Sequence, residues 1–498
     1  MRCPSVTDPQ LISSSYARFL HDESSLRAAL PRRILFPTSA RELSSAVREL
    51  ADHREPATIS GARTGIVGGA VASGGETLVS MEKLVAAPRV GFSERFNAWT
   101  VKAGPGVTLD ALRTHLAEAS GSRSFPVDPT EGGASLGGMV ATNASGARTL
   151  LYGPTRAWVA SLTAVLANGE VVELFRGDVP ARNGEISIGG HTLRLPSVRI
   201  PPTKHAVAYH TASGMEGIDL FIGGEGTLAV IASVELFLTE RPRAVCGVAA
   251  FLRHGEPVET LVADLKGDET IHPRALEYMD SHSISILDGL RKEVGPRSTL
   301  PALPSDAAGL LYAECASGSE EEAERRLLRL GEVLAAHGVS PQRTWAATTP
   351  RELEEIRVMR HTLPERINAL ILQRREALPD LTKLAADCAV PDGKLGEMLR
   401  AYRDVLGEAA LQHAVFGHIG NAHLHANILP RTRDELARAK AAFVELARMA
   451  VSLGGSVSGE HGIGKLKKEL LGIQYSPQEL EGLRSVKTQL DPHGILNP

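Results

Sequence analysis

Short apolar runs separated by glycine-rich loops fill the first half of the chain, and longer helical stripes follow. Ile34-Leu-Phe36 is an apolar run; Thr38 or Ser39 then offers a helix cap, and residues 42–52 carry a helical pattern. Ala57-Thr-Ile-Ser60 reads as a strand that ends in glycines. Leu162-Thr-Ala-Val-Leu166 and Val171-Val-Glu-Leu174 read as a hairpin about the Asn168-Gly169 turn, and residues 229–234 as a further strand. Beyond them, residues 308–315 are strand-like and residues 320–337 form a charged amphipathic helix. Residues 352–368 predict another helix, kinked at Pro364. Before Arg33, the residues Leu11, Tyr16, Phe19 and Leu20 share a face, which predicts a helical leader over residues 1–30 that packs and does no chemistry. The class is α+β.

Composition narrows this picture. A chain of 498 residues with 43% hydrophobic content can build more than one core, so two or more domains are expected. The net charge of −4 gives no footprint for nucleic acid. The four cysteines lie far apart and form no CxxC pair, which argues against a zinc ribbon, an iron–sulfur cluster or a disulfide framework and fits a reducing compartment. No apolar run reaches membrane-spanning length, and residues 1–30 are too charged for a signal peptide. A cytoplasmic protein, or one peripheral to a membrane, is expected.

The candidate chemistry falls in two places. Gly61-Ala-Arg-Thr-Gly-Ile-Val-Gly-Gly69 follows a strand, and its glycines let backbone N–H groups approach a phosphate. It matches neither the P-loop nor the Rossmann pattern. Residues 126–146 are nearly free of bulky side chains, with Ser135, Thr142 and Asn143 as small hydrogen-bonding groups, and residues 221–228 form a further loop of this kind. One extended ligand with a diphosphate, laid across these loops, accounts for all of them. Near the C-terminus, Phe416-Gly-His-Ile-Gly-Asn-Ala-His-Leu-His-Ala-Asn427 and Ser458-Gly-Glu-His-Gly-Ile-Gly464 set four histidines and a carboxylate in glycine-punctuated backbone. His423 and His425 share a face of a strand; Gly417 and Gly420 would let the chain bend His418 back to them. Neutral imidazoles with one carboxylate suit a catalytic divalent cation, while packed or solvated histidines are the plainer alternative.

The loops, in this order and spacing, resemble the FAD-binding domain of the vanillyl-alcohol-oxidase and p-cresol-methylhydroxylase (PCMH) type. Residues 61–69 are similar to that family's pyrophosphate loop, with Ala62 and Arg63 departing from it; residues 137–146 resemble its stretch along the flavin, and residues 224–228 its third signature. The C-terminal pair resembles the G-H-x-G-D-G-N-x-H and G-E-H-G-x-G motifs of the D-2-hydroxy-acid dehydrogenases, the group of D-lactate and D-2-hydroxyglutarate dehydrogenases and the glycolate oxidase flavin subunit. Asn421, Ala422 and His423 replace that group's Asp, Gly and Asn.

The resemblance implies a two-subdomain PCMH-type FAD-binding domain over residues 31–240 and an α+β cap, or substrate, domain with an antiparallel sheet over residues 241–410. It also implies a catalytic segment over residues 411–498 that returns to the flavin. Cofactor contacts would come from Gly61, Ala62, Arg63, Thr64, Gly65, Gly68, Gly69, Pro129, Gly137, Gly138, Thr142, Asn143, Gly146, Glu225, Gly226 and Thr227. None of these loops carries a histidine, so non-covalent FAD is expected. The implied metal ligands are His418, His425 and Glu460, the metal zinc, the base His461, and the substrate contacts Arg360 and Asn427. A salt bridge to Glu354 or Glu355 is the plainer reading of Arg360, and a register shift at Ala385-Ala386 leaves a substrate role for Lys383 unsupported. The implied activity is FAD-dependent oxidation of a D-2-hydroxy acid of the lactate, glycolate or 2-hydroxyglutarate class. Electrons would pass to a quinone, an electron-transfer flavoprotein, a cytochrome or oxygen, and a homodimer or partner subunits would fit. The alternatives are a same-fold enzyme of the alkylglycerone-phosphate synthase type, or the flavin subunit of a larger complex.

Overall fold

The computed structural model describes residues 3–24 and 26–498, and its first half is built on two larger sheets, with two short two-stranded pairings beside them. One runs in the order Ser5–Val6, Ile34–Leu35, Thr77–Ser80, Ala57–Ser60, its last two pairings parallel. Parallel strands need a crossover, and the helix Ala40–Asp52 supplies it. Ser39 caps that helix by accepting from the Glu42 N–H at 3.2 Å. Leu43, Ala46, Val47 and Leu50 form its buried face.

The second sheet is antiparallel: Arg89–Ser93, Ala98–Ala103, Ala229–Phe237, Val159–Leu166, Val171–Phe175. It contains the expected hairpin, with Gly169 at φ +79° in the turn. Strand alternation sends Val165 and Val230 toward the helix Ala40–Asp52 and Ala164 and Ile231 into a separate core with the helices Leu109–Ala119 and Leu136–Ala141.

The leader expected over residues 1–30 is not one helix. Among its described residues only Pro9–Ser13 is α-helical, and Ala17–Phe19 is a single 3₁₀ turn. The Ser13 and Ser14 hydroxyls donate to the Pro9 and Gln10 carbonyls, and such serines compete with helix continuation. The segment still packs as an arm: Phe19 is buried, edge-on to Phe36 at 5.5 Å.

The second half is organised on a seven-stranded antiparallel sheet. Its order is Thr344–Ala347, Ala244–Leu252, Gly309–Ser317, Ala275–Asp280, His413–Gly417, His423–Ile428, Leu384–Ala389. On one face, Val248, Ala250, Leu276, Leu311, Leu424 and Ala426 meet a layer that includes Glu320–Ala336, Leu395–Glu408 and Arg433–Ser452. On the other, Ala249, Phe251, Met279 and Leu310 meet the helices Ser281–Val294 and Pro350–Ala377. The latter contains the expected Pro364, and Ile356, Met359, Leu363, Ile367 and Ile371 form its buried stripe.

The chain end then crosses back to the first half. Val486 and Leu490 of the helix Pro477–Leu490 join its antiparallel-sheet core. Ile495 and Leu496 join the core beneath the strand Ala57–Ser60, where the Asn497 N–H donates to the Ala57 carbonyl at 2.9 Å.

Candidate active site

The glycine-rich loops expected to hold one ligand lie against one another. A Cβ on Gly61 would fall 2.8 Å from Ser135 Oγ, so a side chain there would force that hydroxyl to turn aside. The Gly223 and Glu225 N–H groups donate to the Val140 and Ala141 carbonyls at 2.9 and 2.7 Å, which brings residues 221–228 alongside. The result is a continuous run of small residues with backbone amides at hand, the construction a dinucleotide diphosphate requires.

Within these loops the expected contacts play unequal parts. Arg63, at φ +65°, stacks over Phe19 and donates to the Gly61 carbonyl at 3.2 Å. Thr142 and Thr227 turn their hydroxyls onto the Gly138 and Gly224 carbonyls, and Asn143 accepts from the Arg156 N–H. Glu225 is committed elsewhere: its two oxygens accept from the Ile463 and Gly464 N–H groups at 2.8 and 2.7 Å. Burial raises its pKa, against those two donors. The Lys465 N–H reaches the Val67 carbonyl at 2.9 Å. Residues 462–465, next to His461, are therefore fastened to two of the glycine-rich loops.

The histidines come from the far edge of the large sheet. His423, His425 and Asn427 share a face of their strand, opposite Leu424, Ala426 and Ile428. Gly417, at φ +136°, and a 3₁₀ turn over Ile419–Asn421 bring His418 to the same place, as its flanking glycines lead one to expect. Glu460 closes the group. Its Oε1 lies 3.2 Å from His418 Nε2 and 3.1 Å from His425 Nε2. One nitrogen or oxygen from each of His418, His423, His425 and Glu460 falls within a 4.8 Å span.

Spacings near 3 Å between donors match a metal's coordination edge. Zinc bonds of about 2.0–2.2 Å in a tetrahedron put neighbouring ligand atoms about 3.3 Å apart. The His418 Nδ1 is 2.6 Å from Glu277 Oε1, the outer carboxylate that orients a ligating imidazole. Burial opposes the charge of both carboxylates, but Lys204 and His418 hold Glu460 well below the usual range, and Arg360 and His418 bring Glu277 down to about 2. The donor set fits a divalent cation.

Four residues that support this arrangement are not singled out by the sequence, although Ser145 lies within a glycine-rich loop. Asp387, wholly buried, accepts from Ser458 Oγ at 2.7 Å and the His461 N–H at 2.9 Å, and lies 2.8 Å from His423 Nε2. Lys204 donates to Glu460 Oε2 at 2.6 Å, and Ser145, from the second glycine-rich loop, donates to the same oxygen at 3.2 Å. Glu277 is the fourth. The only signal for Asp387 was a lone carboxylate in an otherwise apolar strand, which must find a partner to be buried; Glu277 shares its strand with a second carboxylate, Asp280.

His461 is the most open of the clustered histidines, its side chain 22% exposed. Its Nδ1 lies 3.1 Å from Asp387 Oδ1; burial lowers its pKa and Asp387 only partly offsets this, so the ring is neutral. Arg360 donates to Glu277 Oε2 at 2.5 Å rather than to Glu354, which is taken by Arg357. Lys383 donates to Asn368 Oδ1 at 2.6 Å. Arg360 also lines a cleft of about 1780 Å³ between the halves, with Pro129, Arg148, Tyr312 and His361 among its walls. His418 and His425 are not part of that lining; Arg360 and Glu277 connect the cleft to them.

Family models match the chain in two places, one described as an FAD binding domain over residues 31–174 and one as FAD linked oxidases, C-terminal domain, over residues 241–498. A D-lactate dehydrogenase of Anaerostipes hadrus is 30% identical over 96% of this chain and 91% of its own length. A D-2-hydroxyglutarate dehydrogenase of Stutzerimonas stutzeri is 28% identical, covering 99% of each chain, and the glycolate oxidase subunit GlcD of Bacillus subtilis is 26% identical over 99% and 94%. Among solved structures, p-cresol methylhydroxylase superposes with a TM-score of 0.69 at 14% identity over 99% of this chain and 93% of that one. An alkyldihydroxyacetonephosphate synthase does so at 0.64 and 16%, over 99% and 82%. At these identities the two superpositions speak for the fold, a PCMH-type FAD-binding half with an oxidase cap. No helix among the described residues is long and apolar enough to cross a membrane.

Proposed function

This chain belongs to the FAD-linked oxidases, in the group of the D-2-hydroxy-acid dehydrogenases, and we propose that it oxidises the 2-hydroxyl of a small D-2-hydroxy acid to the 2-oxo acid. The observation that carries this reading is the junction at residues 460–465. There a His-His-Glu donor set and a neutral histidine are held directly against the FAD loops through Ser145 and Glu225.

FAD, when held by those loops, supplies the hydride acceptor. A divalent cation held by His418, His425 and Glu460 would lower the pKa of the substrate hydroxyl. His461, with Nδ1 toward Asp387, keeps Nε2 free to take the hydroxyl proton, and its neutral ring makes it a competent base near pH 7. Arg360 grips the substrate carboxylate from the cleft side. Glu277 orients the guanidinium for that task while fixing His418 from its other oxygen. Asn427, on the face of His425, would supply a further substrate contact.

The reading is tested anaerobically, by mixing the flavin-loaded protein with D- and L-2-hydroxy acids and following flavin absorbance with and without a chelator. Bleaching by one D-acid, abolished by chelation and restored by zinc, is the expected result. A yellow protein bleached by none of them would overturn it in favour of the synthase-type or subunit readings.

A further inference from the structure

We infer that His423 is a third imidazole donor to the cation site, making the ligand set three histidines and one glutamate. This rests on the metal reading above and goes beyond the triad that the group's motifs imply, in which an asparagine occupies this position.

The argument begins with Asp387. Its Oδ2 accepts from Ser458 Oγ at 2.7 Å and the His461 N–H at 2.9 Å, with the Glu460 N–H at 3.3 Å and Lys467 Nζ at 3.4 Å. A carboxylate among so many donors has no proton of its own to give. Its 2.8 Å contact with His423 must therefore use an Nε2–H of the ring as donor. That fixes the tautomer: the remaining nitrogen, Nδ1, carries a lone pair.

That lone pair has no hydrogen-bond partner among the described residues. His423 is 0% exposed, and Nδ1 is buried without a hydrogen bond. A buried acceptor left unmatched is costly, so an ion is the partner to look for. A donor atom of His423 already lies within the 4.8 Å span that holds His418, His425 and Glu460. The carboxylate behind the ring repeats what Glu277 does for His418, the arrangement in which metal-binding imidazoles are held.

Space has been made for the ring as well. A Cβ on Gly459 would fall 2.4–2.5 Å from His423 Cδ2 and Nε2. The backbone of Gly459 is tied down by its N–H to the Asp387 carbonyl at 2.6 Å, so it cannot simply withdraw.

The test counts nitrogens. The flavin-loaded protein is stripped of metal and reloaded with Cu²⁺ for electron paramagnetic resonance, and Zn²⁺ affinity is measured by chelator competition. The wild type should show three coupled imidazoles; His423→Asn, which installs the group's usual residue, should show two and bind Zn²⁺ about 10–100-fold more weakly. His423→Gln serves if the asparagine variant loses its flavin, and the wild-type count decides the matter even if both do. Two imidazoles in the wild type, with unchanged Zn²⁺ affinity in the variant, would overturn the role of His423 alone. A wild type that takes up neither ion yet is bleached by a D-2-hydroxy acid would overturn the metal reading and this inference, while leaving the dehydrogenase activity standing.

Discussion

The glycine-rich loops and the histidine cluster touch at Ser145 and Glu225, yet they are made in opposite ways. The loops work by what they lack: Gly61 and Gly146 leave room for Ser135 Oγ and the Asp128 carbonyl, and backbone amides do the holding. The cluster works by what it carries, a dense set of imidazoles and carboxylates fixed by further charges. Adding one methyl should damage the first region, and removing one polar group should damage the second.

The largest effect is expected at His461. His461→Ala removes the proposed base and should lower kcat by about 10²–10⁴-fold, with the flavin spectrum and metal content retained. Equal losses of flavin and activity would show instead that the side chain is structural. Asp387→Ala comes next. Removing one member of a buried charge network costs about 3–5 kcal/mol, and Lys467 and the Glu460 and His461 N–H groups would all lose an acceptor. Urea denaturation of the metal-free protein would read this loss directly.

The loop counterpart is Gly146→Ala. Its Cβ would fall 1.8 Å from the Asp128 carbonyl oxygen, a backbone atom that cannot turn aside. A cost of about 1–3 kcal/mol is expected, together with weaker FAD retention. If this variant held FAD as tightly as the wild type, the view of the loops as backbone devices would fail.

The cluster should also respond to pH when the metal is removed. Burial disfavours a charged His425, but Asp387 and Glu460 more than compensate and push its pKa up to about 9. A histidine raised above its unfolded value of about 6.5 contributes stability that is complete below that pH and lost as pH rises toward the folded value. The metal-free protein should therefore lose thermal stability between about pH 6.5 and 9. The slope should flatten in His425→Asn.

The same contrast explains what the sequence made legible. Glycine spacing is local, so the loops and the pairs around His418, His425, Glu460 and His461 could be read in short windows. Periodicity likewise marked the helix Glu320–Ala336 and the hairpin about Gly169. Lys204, Glu277 and Asp387 could not be read this way, because their partners lie 256, 141 and 36 positions away. Arg360 showed the same limit: its helix was legible, but Glu277, its partner, sits 83 positions earlier on a strand of the large sheet. The leader failed for a different reason. Its apolar spacing was real, but serine hydroxyls ended the helix after Ser13.

The smallest effect is expected at Ala422, which stands where the related motif has glycine. Ala422 adopts the left-handed conformation at φ +46° and ψ 39°, which costs an L-residue about 1–2 kcal/mol. Ala422→Gly would relieve that strain. It would also free the unfolded chain, at about 0.4–1 kcal/mol, and remove a methyl that is only 3% exposed within the cap core, at about 0.8 kcal/mol. These terms nearly cancel, so the variant should denature within about 0.5 kcal/mol of the wild type and keep its metal affinity. The alanine is then tolerated because its methyl packs where glycine would leave a gap. A stabilisation well above about 1 kcal/mol would mean the methyl contributes nothing, and that the strained turn serves the placement of His418 and His423 on either side of it.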